Sequence, residues 1–319
     1  MFAARCAGVS LAVFVLLYVF LSLAVSRGWK LLRRILRPRS ARGAADLLFA
    51  LRILPLALSS VVTAAFTVPS FLLLEPRSTD EAIGTAPLAL GLCCLILLGV
   101  GIARASIAQM RASRALRQWL NGSTIMESQV MESDDAVPIF RTANDAPTLT
   151  VAGVCAPKVL VSEAAVATLN PQELRTALRH EIAHVLRYDN LKKLVFRFSV
   201  FPAMGGLEHA WSEETELAAD DAAVTNFRDA LDLAAALIKV SRLGPVASSG
   251  ELTTALLHSS TALSARVRRL VAWDKAQKAQ THGRWLYALP AAAAMAIGIV
   301  TAYGSVLTQM HAVTEWLVR

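Results

Sequence analysis

The chain is short of charge. Only 18% of its 319 residues are Asp, Glu, Lys or Arg, 55% are hydrophobic, and the mean hydropathy is +0.48. A soluble domain of this size could not easily stay in solution on that balance, so part of the chain is expected to lie in lipid. Cysteine is also scarce. Cys6, the adjacent Cys93 and Cys94 in an apolar run, and Cys155 offer no spaced framework for disulfides or a thiolate metal site, which suits a reducing compartment. Cys155 reads as a packed thiol and the Cys93–Cys94 pair as membrane core. Acidic residues are missing between Arg27 and Asp46, where Arg27, Lys30, Arg33, Arg34, Arg37, Arg39 and Arg42 stand; such a block marks a cytoplasmic loop. Charge is missing from the depths of the apolar runs, with Arg52 at an edge, which argues against a channel or transporter. The formal charge of +8 therefore reads as topology and attraction to anionic membrane lipids, with no direct nucleic-acid binding expected.

Four apolar runs are present, at about 8–26, 53–74, 86–103 and 285–307, each near the ~20 residues a helix needs to cross the hydrocarbon core. Glu75, Asp80 and Glu81 against Arg77 place the second loop outside, while Arg104, Arg111, Arg114 and Arg117 after the third run, and Arg266, Arg268, Arg269, Lys275, Lys278 and Arg284 before the fourth, place the middle of the chain inside. A cleaved signal peptide fits the first run poorly, because its positive charge lies behind the apolar stretch rather than before it. The expected fold is a mainly α membrane protein with four transmembrane helices, both termini outside, in a bacterial-type inner (plasma) membrane. Residues 1–109 would hold three spans, 110–283 a cytoplasmic α+β domain inserted between spans three and four, and 284–319 the fourth span and a short external tail. Gly91, Gly99, Gly101 and the alanine-rich 291–298 would let helices approach closely, within one bundle or in a homodimer through the spans.

The middle begins as a small sheet. Ile139–Thr142, Thr148–Ala152 and Val159–Val161 are short runs rich in threonine and β-branched residues, separated by turn residues. Asn170, Pro171 and Glu173 then fit the cap, first and third positions of a helix. That helix runs into Leu178–Asn190, LRHEIAHVLRYDN. His180 and His184, four apart, project from one helix face and can share one ion, and Glu181, rotated by about a hundred degrees, can reach a metal-bound water without being a ligand. Catalytic zinc keeps three protein ligands and one open position. Downstream candidates are Glu208, His209, Glu213, Glu214 and Glu216. Glu216 is favoured because Asp220 follows one turn later on the same face and can orient a ligand histidine; Glu213, three residues earlier, competes. His209, His282 and His311 read as ordinary structural histidines. The run Leu194–Gly206, broken by Arg197 and Pro202, suits the membrane interface better than a span.

HEIAH followed about thirty residues later by ELAAD, with three apolar runs before and one after, resembles the BlaR/MecR-type membrane zinc metallopeptidases. Gly153–Ser162 (GVCAPKVLVS), Asn170–Leu174 and Arg187–Asn190 are similar to that family too, and the ELAAD helix also resembles that of prenyl-protein and heat-shock membrane peptidases. The resemblance implies a zinc endopeptidase with one catalytic Zn2+, Glu216 as third ligand and Asp220 as supporting acid. It also implies a role in signal transduction, by cleavage of a cytoplasmic transcriptional repressor or of the chain itself. The β-lactam-sensing members carry a penicillin-binding domain after the last span. Here only Thr308–Arg319 follow it, so β-lactam reception by that route is not expected.

The expected chemistry is peptide hydrolysis with Glu181 as general base. Candidates to stabilise the oxyanion are His258, Arg266 and, less favoured, Tyr188. An extended substrate would add to a sheet edge near Thr148–Ala152 or Lys158–Val161. The alternative is a zinc-stabilised transmembrane signalling scaffold without hydrolysis, which gives Glu181 no purpose.

Overall fold

The structure is a computed structural model that describes residues 2–36, 38, 40–75, 84–126, 137–142, 147–243, 253–255, 260–273 and 303–315. Three helical stretches are long and apolar enough to cross a membrane: Phe2–Leu36, Ala41–Leu74 and Thr85–Leu120. The first is α1 (Phe2–Leu36). The second comprises α2 (Ala41–Val62), a π-helical turn (Thr63–Thr67) and α3 (Val68–Leu74), and the third is α4 (Thr85–Leu120). At 1.5 Å per residue, 35 residues reach about 52 Å, well beyond a hydrocarbon core of about 30 Å. The helices therefore outrun the apolar stretches 8–26, 53–74 and 86–103, and α4 passes unbroken through 109–110, where the sequence places a domain boundary. The fourth apolar run lies outside the described residues except at its end, where residues 303–315 are helical.

The π-helical turn has a local cause. Pro69 has no N–H and its ring crowds the carbonyl four residues back, which is that of Ala65. The wider turn relieves the crowding, and the freed Ala65 carbonyl accepts a hydrogen bond from Tyr303 Oη at 2.9 Å. In lipid an unpaired carbonyl would be costly, so the tyrosine ties helix 303–315 to the bundle.

The remainder is a small sheet with helices. Its strands are β1 (Thr124–Ile125), β2 (Ile139–Thr142), β3 (Leu149–Ala152), β4 (Lys158–Ser162) and β5 (Thr253–Ala255), in the order β1-β2-β4-β3-β5. β2 and β4 run parallel, with Ile139 opposite Val159; the other pairs are antiparallel, with Val151 opposite both Val159 and Thr254. The edge-strand expectation is overturned here: β4 is interior, and the far side of β3 is taken by β5. The helices are α5 (Glu163–Thr168), α6 (Pro171–Leu186), α7 (Asp189–Phe198), α8 (Gly205–Ala223), α9 (Phe227–Arg242) and α10 (Ser260–Val271). Val151, Val159, Leu178, Leu233 and Leu237 form the centre of their shared core.

This part is fixed to the long helices at the junction of α7 and α8. Phe196 packs between Phe49 and Trp211, with ring centroids 5.6 and 4.9 Å away. Arg52 is buried rather than at an exposed edge: it donates to Glu208 at 2.8 Å, to Ser199 Oγ at 2.9 Å and to the Ser199 carbonyl. Tyr18 Oη donates to the Val200 carbonyl at 2.8 Å. A buried cation is tolerable only with such complete pairing. The segment 194–206 is thus held against α1, α2 and α4.

Candidate metal centre

The register of α6 is set at its first turn. Asn170 Oδ1 accepts from the N–H of Gln172 and Glu173 at 3.0 and 2.9 Å, and Glu173 accepts the Asn170 N–H at 2.9 Å, a complete capping box. Lys239 of α9 holds Glu173 at 2.7 Å. Two turns further, His180 and His184 stand on one face with their Nε2 atoms 3.2 Å apart. Two nitrogens bound to one tetrahedral ion at ~2.0–2.1 Å would be roughly 3.3 Å apart, so the pair is spaced for a shared ion.

The outer nitrogens are held by acids. α6 ends at Leu186, and Tyr188 takes a left-handed conformation, φ 55° and ψ 38°. For a tyrosine this is uncommon. It turns the chain so that Asp189 Oδ2 comes 2.8 Å from His184 Nδ1. Asn190 donates to the Gly153 carbonyl at 3.0 Å, anchoring the turn beside β3. Asp220 Oδ1 lies 3.0 Å from His180 Nδ1, an ion contact off the line of the ring N–H.

α8 supplies the third group. The Glu216 carboxylate oxygens lie 3.5 Å from His180 Nε2 and 3.7 Å from His184 Nε2, and the three residues form a buried set able to hold a metal ion. Glu213 is removed as a competitor: it points outward and pairs with exposed His209 at 3.6 Å. Arg266 of α10 closes the group. Its Nε and Nη2 donate to Asp220 at 2.8 and 2.6 Å, and its Nη1 to Glu216 at 3.0 Å.

Glu181 is fully buried, and neither carboxylate oxygen has a hydrogen-bond partner among the described residues. A polar group is seldom left so. Burial pushes its pKa up to about 8; the charge of His180 opposes this, that of Glu216 adds to it, and Arg266 and Lys193 oppose it. Burial would lower the His180 pKa, but the contacts with Asp220 and Glu216 raise it to about 9. Burial keeps His184 below its ordinary value despite Asp189. Asp220 would be raised by burial but is held down to about 2 by Arg266 and His180, and Glu216 is likewise held well below the usual carboxylate range. Without metal, then, His180 favours its protonated form beside a His184 that favours its neutral one, and an ion bound between them would take the place of a proton. The donor set fits: two imidazoles with oriented outer nitrogens, one ionised carboxylate, and an unpaired acid beside them.

His180, Glu181, His184, Glu216 and Asp220 are thus brought together as the sequence predicts. Arg266 is brought in as well, but its guanidinium is engaged with two acids. Tyr188 is 66% exposed and contributes its backbone turn, and His258 lies outside the described residues. Asp189 and half-buried Lys193 were missed. The signal available was their place on the helix following the histidines: Asp189 five residues after His184, Lys193 one turn later. The centre is closed over, and a cavity of only about 10 Å³ beside His184 and Tyr188 approaches it.

Comparison of the sequence with protein-family models and with curated proteins finds no match.

Proposed function

We propose that the protein is a multi-pass membrane zinc endopeptidase of the BlaR/MecR type, with a fourth span beyond residue 284, both termini outside, and the α+β domain at the cytoplasmic face. One observation carries this reading: Glu181 is buried with no hydrogen-bond partner among the described residues, beside two histidines and a glutamate spaced for one ion. Zinc held by His180, His184 and Glu216 would supply Lewis acidity and make bound water easier to deprotonate.

The remaining duties fall to protein groups. Asp220 and Asp189 hold the imidazoles with Nε2 inward. Glu181 takes a proton from the attacking water and returns it to the leaving amine nitrogen; burial raises its carboxyl, and a divalent charge beside it would restore the ionised form that the task needs. Arg266 and Lys193 act on Glu181 as positive charges, and the same charges would favour an oxyanion formed beside it, although the Arg266 guanidinium is itself paired with Glu216 and Asp220. A peptide must first gain access, so α10 and β5 would have to yield or receive the substrate on the outer edge of β5. The substrate would be a cytoplasmic protein such as a repressor, or the chain itself.

The second reading, a zinc-stabilised signalling scaffold, is favoured by the full burial of His180 and Glu181. Zinc analysis and casein or self-cleavage assays on detergent-purified variants separate the two. The expected result is about one zinc per chain in wild type and Glu181→Gln, loss of zinc in Glu216→Ala, and loss of cleavage in Glu181→Gln by roughly 10²–10⁴-fold. Zinc retained by Glu216→Ala would refute the ligand set, and zinc without cleavage in wild type would favour the scaffold.

A further inference from the structure

Beyond the metal centre, the described residues hold a larger cleft of about 870 Å³ where the last turns of α1 and the start of α2 meet α8 and α10. Its walls carry five basic side chains, Lys30, Arg33, Arg34, Arg42 and Arg269, against two acids, Glu214 and Asp221. Both acids are engaged: Arg33 donates to Glu214, and Arg269 to Asp221 at 2.6 Å. Three cations remain in excess. Of these Arg42 reaches Asp46 only at 4.0 Å, with both side chains exposed. Trp29 and Trp273 stand among them, and Leu217 and Ala218 add an apolar strip.

The position of the cleft indicates what fills it. α1 leaves its apolar stretch at Arg27 and continues to Leu36, so Trp29, Lys30 and Arg34 fall where head groups begin if α1 spans the bilayer. Indole rings favour that zone, and basic side chains there attract anionic lipid. An inorganic anion would need the cations but not the tryptophans or the apolar strip.

We infer that this cleft binds the phosphate head group of an anionic phospholipid, with Lys30, Arg34 and Arg42 neutralising the phosphate and Trp29 and Trp273 flanking the glycerol region. The site rests on α1 and α2 crossing the membrane, as in the reading above, and does not depend on hydrolysis. Its inner wall is α8, whose Glu214 and Asp221 face the cleft while Glu216 and Asp220 face the histidines. The lipid would therefore touch the helix that carries the third ligand.

The test is native mass spectrometry of the full chain in detergent, titrated with dioleoyl phosphatidylglycerol, with dioleoyl phosphatidylcholine, or with phosphatidylglycerol in millimolar inorganic phosphate. Wild type should hold phosphatidylglycerol at least tenfold tighter than phosphatidylcholine, and inorganic phosphate should not displace it. Removing three cations is worth on the order of 100-fold near a membrane surface, so the triple variant Lys30→Ala, Arg34→Ala, Arg42→Ala should lose at least tenfold. The triple variant Arg104→Ala, Arg111→Ala, Arg114→Ala, which removes equal charge from exposed positions on α4, should lose less than twofold. Equal losses in both triples would mean diffuse surface attraction, and displacement by inorganic phosphate would mean a soluble-anion site; either overturns the proposal. The lipid readout involves no hydrolysis and no zinc, so failure of the peptidase reading would leave this result standing.

Discussion

His184 shows how much of a candidate ligand's behaviour is set by the atom behind it. Its Nδ1 faces Asp189 at 2.8 Å, and Asp189 is completely buried. The carboxylate fixes the tautomer, directs the Nε2 lone pair toward His180, and raises ligand basicity against the effect of burial. Asp189→Ala should weaken zinc binding by about 10–100-fold, and Asp189→Asn, which can still accept the Nδ1 proton, by less. Competition with a chromophoric chelator measures both. Wild-type affinity in Asp189→Ala would reduce Asp189 to a helix-start residue. The contrast with Glu216 and Asp220 explains what could be read in advance. Those two, like His180 and His184, are four apart on one helix, and helical period alone puts them on a common face. Asp189 acts across a turn made by the left-handed Tyr188, and Arg266 acts from α10, about fifty residues from its partners. The first placement needs that turn as well as the five-residue spacing from His184, and the second follows from no local spacing.

At the scale of elements, β2, β3 and β4 agree with the β-branched runs to within a residue, and α6 begins at its capping box, because each signal is local. β5 was not legible: three residues, Thr253–Ala255, have no alternation to read, and their strand exists only because β3 offers an edge. Helix lengths were underestimated too. Hydropathy marks the apolar part, whereas α1 and α4 continue into charged turns that are largely exposed. Gly101 of α4 lies against α7. An added Cβ would lie only 2.3 Å from the Phe198 carbonyl at the end of α7. Because that contact is backbone, α4 and α7 would have to separate. Gly101→Ala should therefore cost about 1–3 kcal/mol, seen as a lower thermal midpoint in detergent. Gly99→Ala, whose Cβ meets nothing within 4 Å, should leave the midpoint unchanged or higher. Equal midpoints for both variants would mean that α4 does not approach α7 as described.

For the whole molecule, the proposed metal would compete with protons for one buried charge network. Without metal, Glu181 is raised from 4.5 to about 8 and His180 from 6.5 to about 9. A group whose pKa is raised on folding stabilises the fold fully below its unfolded pKa and ceases to do so as pH rises through its folded pKa. Both groups therefore weaken the metal-free protein as pH climbs from about 4.5 toward 9. Asp220, lowered from 3.8 to about 2, acts oppositely, stabilising above 3.8 and failing as pH falls through 2. The metal-free protein should thus be most stable in mild acid. Zinc would reverse the upper limb, because ligation would require His180 without its proton and a divalent charge would favour ionised Glu181. Binding at pH 7 should release between one and two protons, measured by calorimetry in buffers of different ionisation enthalpy. The gap in thermal midpoint between zinc-loaded and metal-free protein should widen from pH 6 to pH 8. Binding heats independent of buffer, or a gap that narrows with pH, would mean that the proton between His180 and His184 is not what the ion replaces. Because α8 packs against both α2 and α6, such a change in charge at Glu216 would act on the helix that joins the centre to the membrane-spanning bundle.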